Sequence, residues 1–343
     1  MSDVYTEKPW LKNYDEHVPS KLEYEEKTFT EKFEEAVKEH PDKPALIYMG
    51  KRITFRELDL LSNQLAAYFN DIGLEPGDMI GLHLPNIPAH YIAIVAVQKA
   101  GCISTGISPL LMPHEMEHQL NDSGAKVVMT LDLLSDKVAE VAGKTGFSTV
   151  IVSGIADFLP GIKRVLGKLL KKIPTAEVKP LAGKVVIPFM EAIKGMPEDR
   201  IMVKRDMDDT IFLMYTGGTT GPSKGAILTQ RNLMRNRQQT LAWLDHDPDE
   251  TALSAFPLFH LAGLAFGAFT MTAGTTQIVV PNPRDTDFLI ESIKKLQARR
   301  HRQRPHRIFR AHKEAGVPSA RSEQPAVGSE RRGPLPSREH RGA

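Results

Sequence analysis

Ile211-Phe212-Leu213-Met214-Tyr215-Thr216-Gly217-Gly218-Thr219-Thr220-Gly221-Pro222-Ser223-Lys224-Gly225 leads an apolar strand into a turn of three glycines, three threonines, one serine and one lysine. Glycines let a backbone approach a phosphate closely and present successive N–H groups to it. The hydroxyls add donors and the lysine adds a point charge. A Walker A loop is excluded, because it needs Gly-Lys-Ser/Thr and Lys224 lies between Ser223 and Gly225. The stretch reads as a nucleotide-phosphate loop of another class, with Ala226-Ile227-Leu228 resuming the apolar pattern after it.

Upstream, helices and strands alternate. Phe29 to His40 has helical spacing, and Ala45 to Met49 followed by Ile53 to Phe55 predicts a hairpin turning at Gly50-Lys51-Arg52. Thr54 with Glu57 forms a capping box for a helix through Leu58, Leu61, Leu65 and Tyr68, which Gly73 ends. Met79 to Leu84 is a buried strand. Pro88 opens a helix from Ala89 to Ala100 and Gly101 stops it; another helix follows Pro113. Lys126 to Thr130 and Thr149 to Val152 are further strands, with a helix capped by Asp132 between them. Short strand–helix–strand connections predict an α/β fold with a mainly parallel sheet.

The 343 residues, 41% hydrophobic and 25% charged, suit a globular chain of about two domains. Cys102 is the one cysteine, which excludes a disulfide framework and any Cys-based zinc or iron–sulfur site. It fits a reducing compartment, and with Lys99 as its one basic neighbour it reads as a small buried residue. No run approaches the roughly 18 apolar residues of a membrane span. Met1 to Lys12 lacks the layout of a signal peptide, so the expected location is cytoplasmic. The net charge of +2 conceals a seam. From Arg299 to Ala343, twelve basic groups face four acidic ones, a net of +8, which leaves −6 for the first 298 residues. Few apolar residues and many like charges predict disorder for 299–343.

Between Asp157 and Pro174 the pattern changes. Ile162, Val165, Leu166, Leu169, Leu170 and Ile173 share one helical face, and Lys163, Arg164, Lys168, Lys171 and Lys172 share the other. Two readings stand: a surface helix packed on the core, or an interfacial helix making peripheral contact with the inner face of a membrane.

The stretch from Tyr215 to Leu233 resembles the signature loop of the adenylate-forming enzymes, which include acyl-CoA synthetases, luciferases and peptide-synthetase adenylation domains. Ile53-Thr54-Phe55-Arg56-Glu57-Leu58 with Asn63 is similar to their "T-Y-x-E-L…N" element. Gly77-Asp78 with Leu84-Pro85-Asn86 and Lys99-Ala100-Gly101 resembles the next element, and Pro257-Leu258-Phe259-His260 the "P-x-[FY]-H" segment. The resemblance runs from about Thr28 to Leu296. Within the family, the basic insert ending near Pro188-Phe189 is most similar to that of bacterial long-chain fatty-acid–CoA ligases.

This resemblance implies two mainly parallel sheets flanked by helices, the second subdomain incomplete. It implies ATP and Mg2+ as cofactors, CoA as cosubstrate and a long-chain fatty acid as acyl donor, with no nucleic-acid partner. Thr216, Gly217, Gly218, Thr219, Thr220, Gly221, Ser223, Lys224 and Gly225 would bind nucleotide phosphates. Thr216 and Lys224 would be the catalytic pair, with Thr216 also near the metal. His260 and Gly263 would shape the acyl entry, and the run from Gly263 to Gly274 would be a helix lining the acyl tunnel. Residues 1–298 are expected to be a partial AMP-binding domain. No Tyr-Gly pair and no Thr-Gly-Asp occurs in the chain, and after Lys224 the lysines are Lys294, Lys295 and Lys313. The family's adenine and ribose elements and its C-terminal lysine domain are thus expected to be missing, and the chain is expected to be an inactive truncated ligase or, alternatively, a non-catalytic module that binds nucleotide phosphates and a membrane surface. A frameshift after about Leu296 would account for the tail. A basic nucleic-acid arm is the competing account, but it lacks interleaved lysines and aromatics.

His114-Glu115-Met116-Glu117-His118 fits the zinc-peptidase pattern H-E-x-x-H. Glu140 follows as a nominal third ligand, but the turn and strand after His118 leave no second helix to present it. The family's ordinary "E-x-x-H-x-L-x-D-S-x-A-K" helix–turn–strand accounts for the segment instead.

Overall fold

After the short helical turns Val4–Glu7 and Pro9–Asn13, Thr28 and Thr54 open the first two long helices in the same way. Each hydroxyl accepts the N–H of a glutamate three residues on, Glu31 or Glu57, whose carboxylate accepts the threonine N–H at 2.7 Å. The helices α1 (Phe29–Glu39) and α2 (Phe55–Asp71) are therefore capped before any packing is considered. The computed structural model describes residues 4–159, 173–199, 203–216, 221–244, 246–247 and 249–303, side chains included except at Ser254 and 295–303.

Between these helices, β1 (Pro44–Tyr48) and β2 (Lys51–Thr54) form the expected hairpin, with Tyr48 opposite Lys51. The turn is Met49-Gly50, one residue earlier than Gly50-Lys51-Arg52. Both have positive φ, 47° and 93°, as a two-residue turn between right-twisted strands requires.

The larger sheet has seven strands: β3 (Met79–His83), β4 (Ile103–Gly106), β5 (Val127–Leu131), β6 (Thr149–Ser153), β7 (Val185–Pro188), β8 (Thr210–Thr216) and β9 (Lys224–Thr229). Their order is β7-β6-β5-β3-β4-β8-β9, parallel throughout except for the antiparallel β8–β9 pair. Every residue of β5 and β6 is buried, because helices cover both faces of the sheet. Val127, Met129 and Leu131 join the cluster holding Leu65 of α2 and Ile92 of α3 (Pro88–Lys99). Val128, Val150 and Val152 join Leu120 of α4 (Pro113–Ser123) and Val138 of α5 (Ser135–Ala142). Alternate side chains of one strand thus feed two cores.

The smaller sheet runs β10-β11-β1-β2, with β10 (Thr251–Ser254) and β11 (Thr276–Val279) parallel to each other and β11 parallel to β1. Helices α6 (Gln230–Leu244) and α7 (Leu261–Thr272) follow β9 and β10. Helix α8 spans Thr286–Gln303, so helical backbone extends past Arg299.

Asp132 does not cap a helix. It starts a 3-10 turn, its Oδ1 accepting the Leu133 N–H at 2.8 Å and its Oδ2 the Ala176 N–H at 3.3 Å. Of the segment Ile162 to Ile173, all but Ile173 lies outside the described residues, as do 304–343.

Candidate functional site

Strand order places the site. From β3 the chain moves to β4 on one side, then returns to β5 on the other. A crevice forms outside the carboxyl ends of strands at such a reversal, and open α/β sheets bind ligands there. β8 lies parallel beside β4, so Thr216 ends at the same edge.

Two pieces of chain converge on that edge. The first is the loop Phe256 to His260. Asn86, just beyond β3 and buried, donates from Nδ2 to the Phe256 carbonyl at 3.0 Å, and its Oδ1 accepts the Leu258 N–H at 2.8 Å. Gly106 ends β4, and a Cβ there would lie 2.5 Å from the Phe259 carbonyl oxygen, so only glycine lets the loop seat. His260 caps α7, its Nδ1 accepting the Ala262 N–H at 3.3 Å, and it is exposed. Gly263 is buried against the same loop: a Cβ would fall 2.0 Å from the Pro257 carbonyl oxygen. The expected helix after His260 is α7, with Leu264, Gly267, Ala268 and Phe269 buried.

The second piece is the β8–β9 hairpin. Thr216 is exposed at the end of β8, opposite Lys224, and its hydroxyl donates to the Lys224 carbonyl at 3.4 Å. Lys224, which the sequence reads as part of the turn, is the first residue of β9 and is exposed. Gly221 is exposed, Gly225 faces Tyr215, and a Cβ on Gly225 would meet Leu213 at 2.8 Å. Gly217, Gly218, Thr219 and Thr220 lie outside the described residues.

Helix α4 braces the hairpin. His118 Nε2 donates to the Ser223 carbonyl at 3.0 Å, and the Tyr215 hydroxyl donates to Asp122 Oδ2 at 2.5 Å. Burial and that carboxylate both push the Tyr215 phenol above its ordinary value, so it remains a donor. The H-E-x-x-H pattern is thereby put to another use: His118 faces Ser223, His114 is exposed, and Glu115 Oε2 accepts the Met112 N–H at 2.8 Å. Among the described residues no group of three His, Cys, Asp or Glu side chains could hold a metal ion.

Thr216 and Lys224 thus pair at the carboxyl end of β8, beside β4, whose last residue Gly106 and the nearby Asn86 seat the loop that carries His260. The roles of Asn86 and Gly106 were not legible as functions. Asn86 lies three residues beyond β3 and Gly106 is the last residue of β4, at the carboxyl ends of two adjacent strands.

The profile of the family described as "AMP-binding enzyme" matches residues 33–301. The chain belongs to that family. Curated relatives include a long-chain-fatty-acid–CoA ligase of Haemophilus influenzae, 34% identical over 303 residues, covering 84% of this chain and 53% of the relative. Proteins of the same description from Yersinia pestis and Bacillus subtilis are 35% and 31% identical over 298 and 299 residues. The chain spans about half the length of the curated relatives it matches. Among solved structures, a long-chain-fatty-acid-CoA ligase from Archaeoglobus fulgidus superposes with a TM-score of 0.66 at 23% identity, over 83% of this chain and 52% of that one. ATP-bound MatB from Rhodopseudomonas palustris gives 0.62 at 23% identity, over 79% and 48%. These similarities establish the fold as that of the adenylate-forming N-terminal domain.

Proposed function

We propose that this chain is the phosphate- and acyl-holding part of an ATP-dependent long-chain fatty-acid–CoA ligase. The observation that supports the reading is the pairing of Thr216 with Lys224 at the carboxyl end of β8, beside β4, whose last residue Gly106 seats the His260 loop, together with the donor-rich sequence between the paired residues. In the reaction, a fatty carboxylate attacks the α-phosphorus of ATP, the bond to the bridging oxygen breaks, and pyrophosphate leaves. The CoA thiol then attacks the acyl carbon and AMP departs.

The turn's backbone N–H groups, its hydroxyls and Lys224 hold the β- and γ-phosphates and stabilise the charge that gathers there as pyrophosphate leaves. His260 and Gly263 border the acyl entry. Magnesium travels on nucleotide phosphates and needs few protein ligands, so one exposed hydroxyl from Thr216 suits it where the described residues offer no carboxylate or histidine cage. The sequence pattern of Ile162 to Ile173 alone supports peripheral membrane contact.

A second reading is binding without turnover by these 343 residues, within which neither Tyr-Gly nor Thr-Gly-Asp occurs. The two readings share a first test. Calorimetric titration of the 343-residue protein with MgATP is expected to show binding that Lys224→Ala weakens on the order of tenfold, the loss of one charge-assisted contact. Equal affinity in both proteins would remove the turn from the site. Pyrophosphate release and thioester formation from a long-chain fatty acid and CoA then separate the readings. The expected result for these residues alone is binding without product.

A further inference from the structure

We propose that helix α4 is a positioning element for the phosphate turn: His118 and Asp122 fix its two ends, and Gln119 between them ties it to the His260 loop. The inference rests on the turn being a phosphate site, and it explains the one sequence motif, His114 to His118, that this function leaves unused.

The contacts are reciprocal in their placing. His118 and Asp122 are four residues apart and share one face of α4. Tyr215, held by Asp122, immediately precedes Thr216; Ser223, held by His118, immediately precedes Lys224. The His118 ring also stands edge-on to the Tyr215 ring, with centroids 6.5 Å apart and planes at 85°. One helical face therefore holds the hairpin at both sides of its turn, on β8 at Tyr215 and just before β9 at Ser223. A carbonyl oxygen turned toward a phosphate would repel it, and His118 holds the Ser223 oxygen against the helix instead.

Gln119 points elsewhere. It is buried, and its Nε2 donates to Thr105 Oγ1 at 2.8 Å and to the Gly106 carbonyl at 3.0 Å. Gly106 is the residue on which Phe259 sits. Three residues within one turn of α4 thus set the spacing between the phosphate turn and the loop carrying His260. Catalysis by positioning depends on such spacing, because small displacements of bound groups cost large factors in rate.

The test uses the full chain with His118→Ala, His118→Gln and Asp122→Ala. Glutamine can place an amide N–H near the position of His118 Nε2. Without nucleotide, hydrogen exchange of peptides covering 213–226 is expected to accelerate in His118→Ala and Asp122→Ala but not over β5 and β6, and to return toward the parent rate in His118→Gln. Unchanged exchange at 213–226 in both alanine variants, or acceleration spread equally over β5 and β6, would overturn the clamp. With MgATP, His118→Ala is expected to bind several-fold more weakly and His118→Gln to recover. If the parent binds MgATP and His118→Ala binds it equally well, the positioning role is lost. If the parent binds no MgATP, the phosphate reading fails, and the exchange measurement still decides whether α4 holds the turn.

Discussion

Lys99 shows how one residue can fix the interior. It is 1% exposed, and its ammonium donates to Asp59 Oδ1 at 2.6 Å, Ser62 Oγ at 2.8 Å and Asn63 Oδ1 at 2.6 Å, with the Phe33 ring 5.5 Å from it. A buried cation persists only when its charge and all its protons are met, and here α3 supplies the lysine while α2 supplies the acceptors. Lys99→Met would leave Asp59, Ser62 and Asn63 without their common donor. The expected loss is about 3–5 kcal/mol, the usual cost of breaking a buried pair from one side, measured by urea unfolding. An unchanged midpoint would mean that water replaces the ammonium. Cys102 behaves as its neighbourhood suggested: burial pushes its thiol up to about 12, which leaves almost no thiolate at neutral pH. The sequence reads Lys224 as part of the turn, whereas β9 begins with it. Composition marks a phosphate turn but not where antiparallel pairing resumes, and that is set by Thr216 meeting Lys224.

Elements buried on both sides were the easiest to read. β5 and β6 are continuous apolar runs because both their faces are covered. β11 was harder. Its Gln277 interrupts the apolar pattern and is buried, satisfied by Tyr91 of α3 at 2.8 Å and Thr270 of α7 at 2.8 Å. Tyr91 is 186 residues away, and Thr270, seven residues back, belongs to the preceding helix, so no strand periodicity reveals β11. The contact made by α4 is also distant, its His118 meeting a carbonyl 105 residues away. Where α7 meets the His260 loop, the element makes a prediction of its own. Gly263→Ala puts a methyl group 2.0 Å from the Pro257 carbonyl oxygen, and the loop must move. Overpacking of this kind costs about 1–3 kcal/mol. The expected result is a lower unfolding midpoint together with faster exchange of the Phe256 to His260 amides. Parent-like values for both would show that α7 and the loop are not in fixed contact.

At the scale of the whole molecule, two histidines make stability depend on pH. His83 and His90 are buried, and burial pushes each down to about 4 from a normal value near 6.5. Between those values the unfolded chain binds protons that the folded chain refuses, so stability is full above pH 6.5 and falls as the pH drops toward 4. Each histidine withdraws on the order of 3 kcal/mol across that window. Urea midpoints should decline steeply from pH 7 to pH 5, and a flat profile would contradict the burial of both rings. The same packing that buries these rings brings β3, β4 and β8 to one carboxyl edge, and the central claim is that nucleotide phosphates are held there by the turn that Lys224 closes. An acyl-phosphate derivative of ATP tests it most directly. The Lys224 amine would attack the acyl carbon, forming an amide and releasing ATP, at a rate set by how close that amine lies to the terminal phosphate. Peptide mass spectrometry is expected to find the label on Lys224, with excess MgATP suppressing it. Label confined to other lysines, or unaffected by MgATP, would contradict the account.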